Sequence, residues 1–199
     1  MLMETKQRLR QPLLPLARGL AGLGIGPDAL TAIGLLIALV SGAALTLSHP
    51  WVAIVGILLS GLCDLLDGDI ARLLTGRDRR FGAFLDSTAD RVAEICIFGG
   101  LILQRVRIGT LTLPWVLAWL LALTGGLLVS YARARAEGLG IVCRVGLADR
   151  SVRLVLILAM LIAGLARSGP FLWLLALLSW ITVAQRVVHV RRAATGGTH

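Results

Sequence analysis

The chain of 199 residues is 57% hydrophobic and 16% charged, with a mean hydropathy of +0.85, so it has too few polar side chains to cover a water-soluble globule of its size. Six apolar stretches of roughly 18–24 residues take up nearly the whole length and leave no room for a separate soluble catalytic domain. In such a chain the formal charge of +9 is first a statement about membrane topology and does not imply a nucleic-acid partner.

The expected fold is an all-α membrane protein in which residues 1–199 form a single integral-membrane domain. In residues 1–26, Lys6, Arg8, Arg10 and Arg18 alternate with leucines, and Pro12, Pro15, Gly19, Gly22, Gly24 and Gly26 interrupt the run before it can span. That pattern fits an amphipathic helix lying at the interface better than a cleaved signal. Pro27 suits a helix start, with Asp28 or Thr31 placed to help satisfy the free amides. Spans are expected at about 28–48, 51–73, 82–103, 111–132, 150–167 and 170–190. With both termini cytoplasmic, 17 of the 20 lysines and arginines fall on that side, leaving Arg105, Arg107 and Arg167 outside. This imbalance orients the protein in the cytoplasmic (inner) membrane with its chemistry facing the cytosol. Cys63, Cys96 and Cys143 have no CxxC spacing, which gives no reason to assign them a redox or metal role.

Most of the 11 acidic residues crowd between positions 64 and 94, at the inner ends of spans two and three. A carboxylate buried there costs several kcal/mol unless something pairs with it. Asp64 and Asp67 are spaced i,i+3 and Asp86 and Asp90 i,i+4, so each pair projects from one helical face. Asp64 lies eight residues before Arg72 and Asp90 eight residues after Gly82, or roughly 12 Å in each case at 1.5 Å per residue. Two adjacent antiparallel helices would bring the four carboxylates to one depth. Bare anions cannot share such a space, and without histidine or cysteine among the ligands a hard divalent cation, Mg²⁺ or Mn²⁺, is the expected counter-charge. The alternative is an internal salt-bridge network with Arg72 and Arg91. Gly68 beside Asp67 and Gly82 one turn before Asp86 clear space for a phosphate, while Arg72 at the water boundary can fork onto phosphate oxygens. Arg133, Arg135, Arg144, Arg150, Arg153 and Arg186 also gather on the cytoplasmic side, which suggests an anionic second substrate.

Residues 64–90 read DLLDGDIARLLTGRDRRFGAFLDSTAD. This resembles the signature of the CDP-alcohol phosphatidyltransferases, D-x-x-D-G-x-x-A-R followed, after a short gap, by G-x-x-x-D-x-x-x-D. Every fixed position is matched, by Asp64, Asp67, Gly68, Ala71, Arg72, Gly82, Asp86 and Asp90. The resemblance implies that family's fold of six transmembrane helices with an N-terminal interfacial helix. It also implies transfer of a phosphatidyl group, or another substituted phosphate, from a CDP-linked donor such as CDP-diacylglycerol to a polar alcohol, with release of CMP. Two metal ions are implied, one on Asp64, Asp67 and Asp86 and the other on Asp64, Asp86 and Asp90, with Asp90 also the base. Gly68, Ala71, Arg72, Arg79 and Gly82 would contact the donor, with Asp28, Ala29, Leu30 and Thr31 near it.

SYARARAEG at 130–138, LADRSVRL at 147–154 and AQRVVHV at 184–190 look most like the phosphatidylinositol phosphate synthases, whose acceptor is inositol phosphate. Arg133, Arg150, Arg153 and Arg186 then fall at or near acceptor-phosphate positions. Arg133 stands where that group often has lysine, and the segment before Arg150 departs from its usual pattern, so glycerol 3-phosphate or free inositol stays open as acceptor. The lipid part of the donor is also open. The family resemblance points to a homodimer, with small-residue faces such as Gly34/Ala38 and Gly99/Gly100 able to support close helix approach. A cation-coupled transporter and a noncatalytic metal-binding scaffold are the rival classes. The outer halves of the spans are nearly free of charge, which argues against a pathway open to both faces.

Overall fold

The computed structural model describes residues 13–73 and 80–195, and Arg79 and the basic residues before Leu13 lie outside them. The described residues form seven α-helices: α1 (Leu14–Gly22), α2 (Pro27–Thr46), α3 (Pro50–Leu73), α4 (Arg80–Arg107), α5 (Leu113–Gly138), α6 (Arg150–Ala163) and α7 (Ser168–Thr195), with a 3-10 turn at Leu165–Arg167. Four stretches are long and apolar enough to cross a bilayer: Pro27–Thr46, Pro50–Leu73, Leu113–Gly138 and Leu165–Thr195. The protein is a multi-pass, all-helical membrane protein.

The other two expected spans are helices with different properties. Helix α4 is 28 residues long but carries Arg80, Asp86, Asp90, Arg91, Glu94, Arg105 and Arg107. Helix α6 has only 14 residues, roughly 21 Å at 1.5 Å per residue, because Gly164 with φ +95° ends it. The charge that disqualifies α4 as a plain apolar span is the charge from which the site is built.

The chain divides into two compact units. In the first, formed up to Leu47 and from Val52 to Gly100, α1 starts next to Pro15 and ends in a turn where Gly24 adopts φ +80° and the Ile25 amide bonds the Leu20 carbonyl at 3.1 Å. Its buried Ala17 packs with Leu30 of α2 and with Leu66 and Ile70 of α3. Helix α2 opens with Gly26 in an extended conformation and Pro27 in the first turn. No side chain caps it, contrary to the expectation for Asp28 or Thr31, because the cap position is held by Gly26, and the Thr31 hydroxyl donates to Asp67. Small residues set how closely α2 meets its two neighbours. A Cβ on Gly34 would lie 3.0 Å from Cys63 Cβ of α3, a Cβ on Gly42 would strike the Cys96 carbonyl of α4, and a Cβ on Gly100 would run into the Gly42 backbone. The Gly34 and Gly100 faces, expected as possible dimer contacts, are thus used inside the chain.

The second unit contains Ser48–Trp51 and everything from Leu101 onward. Here α5 and α7 pack tightly along small residues, and a Cβ on Gly125 would approach Ser179 Cβ to 2.9 Å. Trp180 Nε1 donates to the Leu121 carbonyl at 3.1 Å. At one end of the unit, Ser168 Oγ accepts from Trp115 Nε1 at 2.9 Å and from Arg105 Nη2 at 3.0 Å. At another, Asp149 caps α6 by accepting from the Val152 amide at 3.0 Å.

The contact of α2 with α4 carries a prediction. Gly100→Ala should destabilise the protein by about 1–3 kcal/mol, since the new methyl meets backbone that cannot rotate aside. Gly99→Ala, with nothing within 4 Å of its added Cβ, should leave the thermal midpoint in the same detergent close to that of the parent.

Candidate active site

The acidic residues of α3 and α4 meet inside the first unit. Asp64, Asp67 and Asp86 each present a carboxylate oxygen, and these three atoms lie within 4.8 Å of one another. Asp67 is buried, at 7% exposure, while Asp64 and Asp86 are half-buried. The i,i+3 spacing puts the first two on one face of α3, and α4 brings the third to the same depth, as the helical rise requires. An all-oxygen set with this convergence fits a hard divalent cation such as Mg²⁺ or Mn²⁺. Asp90, one turn beyond Asp86, is not part of the triad. Its Oδ2 accepts from Arg91 Nη2 at 3.2 Å.

The two arginines offered as an alternative counter-charge each pair with an acid outside the triad, although Arg91 pairs with one of the four carboxylates expected to converge. Arg72 pairs with Asp69 and Arg91 with Asp90. Thr31 of α2 donates its hydroxyl to Asp67 Oδ2 at 2.6 Å, with the Pro27 carbonyl also within reach at 3.1 Å. Sequence reasoning placed Thr31 near a donor substrate. The structure gives it a second part, fixing the orientation of a buried carboxylate.

Two of the triad, Asp67 and Asp86, line a cleft of about 370 Å³ between the start of α2, the end of α3 and the start of α4. Of the residues expected to contact a donor, Asp28, Thr31, Gly68, Ala71, Arg72 and Gly82 line it, together with Asp67, Asp86, Pro27 and Ala83. Gly68 forms an open part of its wall, where the nearest atoms to an added Cβ would be those of the Arg72 guanidinium at 3.7 Å, whereas a Cβ on Gly82 would crowd Asp28 Oδ1 at 3.0 Å. Leu30 and Ala29 are not in the lining. Leu30 belongs to the apolar cluster with Ala17, and Ala29 is exposed on the adjoining turn. Arg79 lies outside the described residues.

The arginines expected to meet an acceptor phosphate belong to the second unit. Arg186 is 5% exposed, donating through Nε to the Val145 carbonyl at 3.0 Å and through Nη1 to the Val129 carbonyl. Arg153 is also buried and donates to the Ala148 carbonyl at 3.2 Å, while Arg133 Nε donates to Glu137 at 2.8 Å. Arg133 and Arg153 both lie close enough to Arg186 to repel it electrostatically, so these three form a basic cluster. Arg150 is the first residue of α6. Sequence reasoning gave no role to Thr182, whose hydroxyl accepts from the Leu147 and Ala148 amides at 3.1 and 2.9 Å and so holds the loop carrying the Val145 carbonyl.

Carboxylates gathered for a divalent ion beside a glycine-walled, arginine-edged cleft at the ends of membrane helices describe a metal-dependent enzyme of phosphoryl-group transfer. The particular class follows from comparison with known proteins. Residues 25–189 match the CDP-alcohol phosphatidyltransferase family, and the chain belongs to that family. It is 37% identical over 194 residues to archaetidylinositol phosphate synthase of Pyrococcus horikoshii, covering 96% of this chain and 97% of that one. It is 40% identical over 194 residues to phosphatidylinositol phosphate synthase of Streptomyces avermitilis, covering 90% and 78%. Its fold is similar to that of Mycobacterium tuberculosis phosphatidylinositol phosphate synthase crystallised with CDP-DAG bound, with a TM-score of 0.81 and 31% identity over 89% of this chain and 92% of that one. The same mycobacterial enzyme in complex with manganese and citrate matches with a TM-score of 0.80.

The Thr31 contact gives a test of the site. Thr31→Val, which keeps the shape and removes the hydroxyl, should weaken divalent-ion binding by about 10–100-fold, as loss of a ligand-orienting partner does, while Thr31→Ser should retain most of it. Titration with Mn²⁺ followed by electron paramagnetic resonance would read both.

Proposed function

We propose that the protein transfers a phosphatidyl group from CDP-diacylglycerol to a hydroxyl of inositol phosphate, releasing CMP. The carrying observation is the Asp64–Asp67–Asp86 triad, two of whose acids line a cleft shared with six of the residues that the family signature and its surroundings assign to the donor. The names of the relatives support inositol phosphate over glycerol 3-phosphate or free inositol. The arginine cluster supplies charge suited to a phosphorylated acceptor.

In this reading, Asp64, Asp67 and Asp86 hold one divalent ion, and Asp64, Asp86 and Asp90 a second. Mg²⁺ or Mn²⁺ bound there would neutralise charge on the donor diphosphate and make CMP a competent leaving group. Arg72 binds diphosphate oxygens from the cleft wall, and Gly68, Ala71 and Gly82 let the nucleotide approach the helices. Asp28, with Thr31 beside it, contacts the donor from α2. Asp90, whose Oδ2 accepts from the neighbouring Arg91 guanidinium, takes the proton from the acceptor hydroxyl. The acceptor oxygen forms its bond to the phosphorus that bears the diacylglycerol, the bond from that phosphorus to the CMP oxygen breaks, and CMP leaves with the electron pair. No serine, cysteine or histidine is paired with a base among the site residues, which favours a single displacement without a covalent enzyme intermediate. Arg133, Arg150, Arg153 and Arg186 bind the acceptor's phosphate. The protein acts as one catalytic membrane domain and as a homodimer. Helix α4, and α6 with its 3-10 turn, complete six crossings; α1 lies at the interface, and both termini face the cytosol in the inner membrane.

The purified protein in lipid nanodiscs, given CDP-diacylglycerol and Mg²⁺ or Mn²⁺, should release CMP when inositol 1-phosphate is added and not with glycerol 3-phosphate, inositol or serine. Chelation with EDTA should abolish the release. Asp90→Asn should lower kcat by about 10²–10⁴ with an unchanged melting midpoint, as loss of a general base does. CMP release with glycerol 3-phosphate alone would overturn the acceptor and keep the reaction class.

A further inference from the structure

Asp69 is the acid of the DGDIAR segment that the signature leaves unspecified, and it points away from the metal triad because it lies two residues from Asp67 on the helix. Its side chain is 4% exposed. One oxygen accepts from Arg72 Nη2, and the other, Oδ2, is buried with no hydrogen-bond partner among the described residues. Arg72 itself is 56% exposed and edges the donor cleft, with its guanidinium nitrogens 3.7 and 3.9 Å from where a Gly68 Cβ would stand.

This pair is poorly built for stability. A half-exposed arginine returns little to a carboxylate that has given up water on both oxygens, one of them uncompensated. What the pair does achieve is geometric. An arginine at the inner end of a helix sweeps a wide volume, and Asp67 and Asp86 of the same cleft would attract it. A buried carboxylate one turn back holds the guanidinium beside Gly68 at the cleft wall, with one N–H committed to Asp69 and the other donors of the fork left for a ligand.

We infer that Asp69 is a positioning residue: it presets Arg72 over Gly68 in the orientation that receives the donor's diphosphate. The inference rests on the proposed CDP-linked donor and adds the residue that fixes how that donor is held. The ordering cost of the arginine is then met in the folded protein and not at substrate binding.

Steady-state CMP release, with CDP-diacylglycerol varied as a mole fraction in nanodiscs, tests it. Asp69→Asn should raise the donor KM about tenfold, the scale of one hydrogen bond to a charged group, with kcat within about twofold and a melting midpoint equal to or above that of the parent. In an Arg72→Lys background the same change should add no further increase in KM, because the two residues act as one unit. Asp69→Ala carries the same expectation should the asparagine variant fail to fold. An unchanged KM, a fall in kcat alone, additive effects with Arg72→Lys, or failure of both Asp69 variants to fold would each overturn the inference. A parent protein that releases no CMP with any acceptor would instead remove the donor assignment beneath it.

Discussion

Like charges brought together out of water repel, and this repulsion governs how the C-terminal part of α3 and the N-terminal part of α4 are built. Three carboxylates converge to within 4.8 Å, and the arginines close by in sequence pair with other acids. A fold that kept such a cluster without a cation would lose several kcal/mol for each buried charge. The membrane sharpens the constraint, since a helix surrounded by hydrocarbon has no water with which to soften a misplaced anion. The arrangement therefore has the properties of a receptor for divalent cations. Other features near it keep the three oxygens convergent: the Thr31 hydroxyl on Asp67, the close packing of α2 against α3 and α4, and the removal of side chains at Gly68 and Gly82.

The packing of the first unit follows from the same need. Helix α2 supplies no ligand in the triad, yet it touches both helices that do. Gly34 brings it against α3, and Gly42 and Gly100 bring it against α4 until backbone meets backbone. Glycine and alanine allow this in a solvent where the hydrophobic effect gives no drive to helix association and dispersion contacts must supply it. The depth of Asp67 relative to Asp86 is thus set partly by residues two to four turns away.

Much of this could be read in the chain itself. The acid spacing, the two glycines and Arg72 gave the triad and most of the cleft wall, because helical periodicity converts sequence separation directly into face and depth. The six segments expected as spans all fall on helices, four of which are long and apolar enough to cross a bilayer. Other features were not legible. Helix α4 reads as a span by position yet is too charged to pass as one by composition, since its N-terminal half serves the site. Leu30 stood in a segment expected near the donor, but the turn of α2 points it at Ala17 and Ile70, a direction that depends on where α1 packs. The Thr31–Asp67 bond joins residues 36 apart and has no local signal. Asp69 had one, an acid three residues before an arginine on a helix, but the triad's own acids on either side concealed it.

Arg186 shows what a clamped side chain can do. Two of its five N–H groups are committed to main-chain carbonyls on either side of it, at Val145 and Val129. The plane of the guanidinium is therefore fixed before any small anion arrives, and its unused edge has one heading. Under the proposed role of Arg186 at the acceptor phosphate, discrimination among phosphorylated polyols would depend on whether a sugar ring can bring its phosphate to that rigid edge while keeping a hydroxyl free. A lysine at this position would carry the same charge but could follow a mispositioned guest, and selectivity would decline before affinity did.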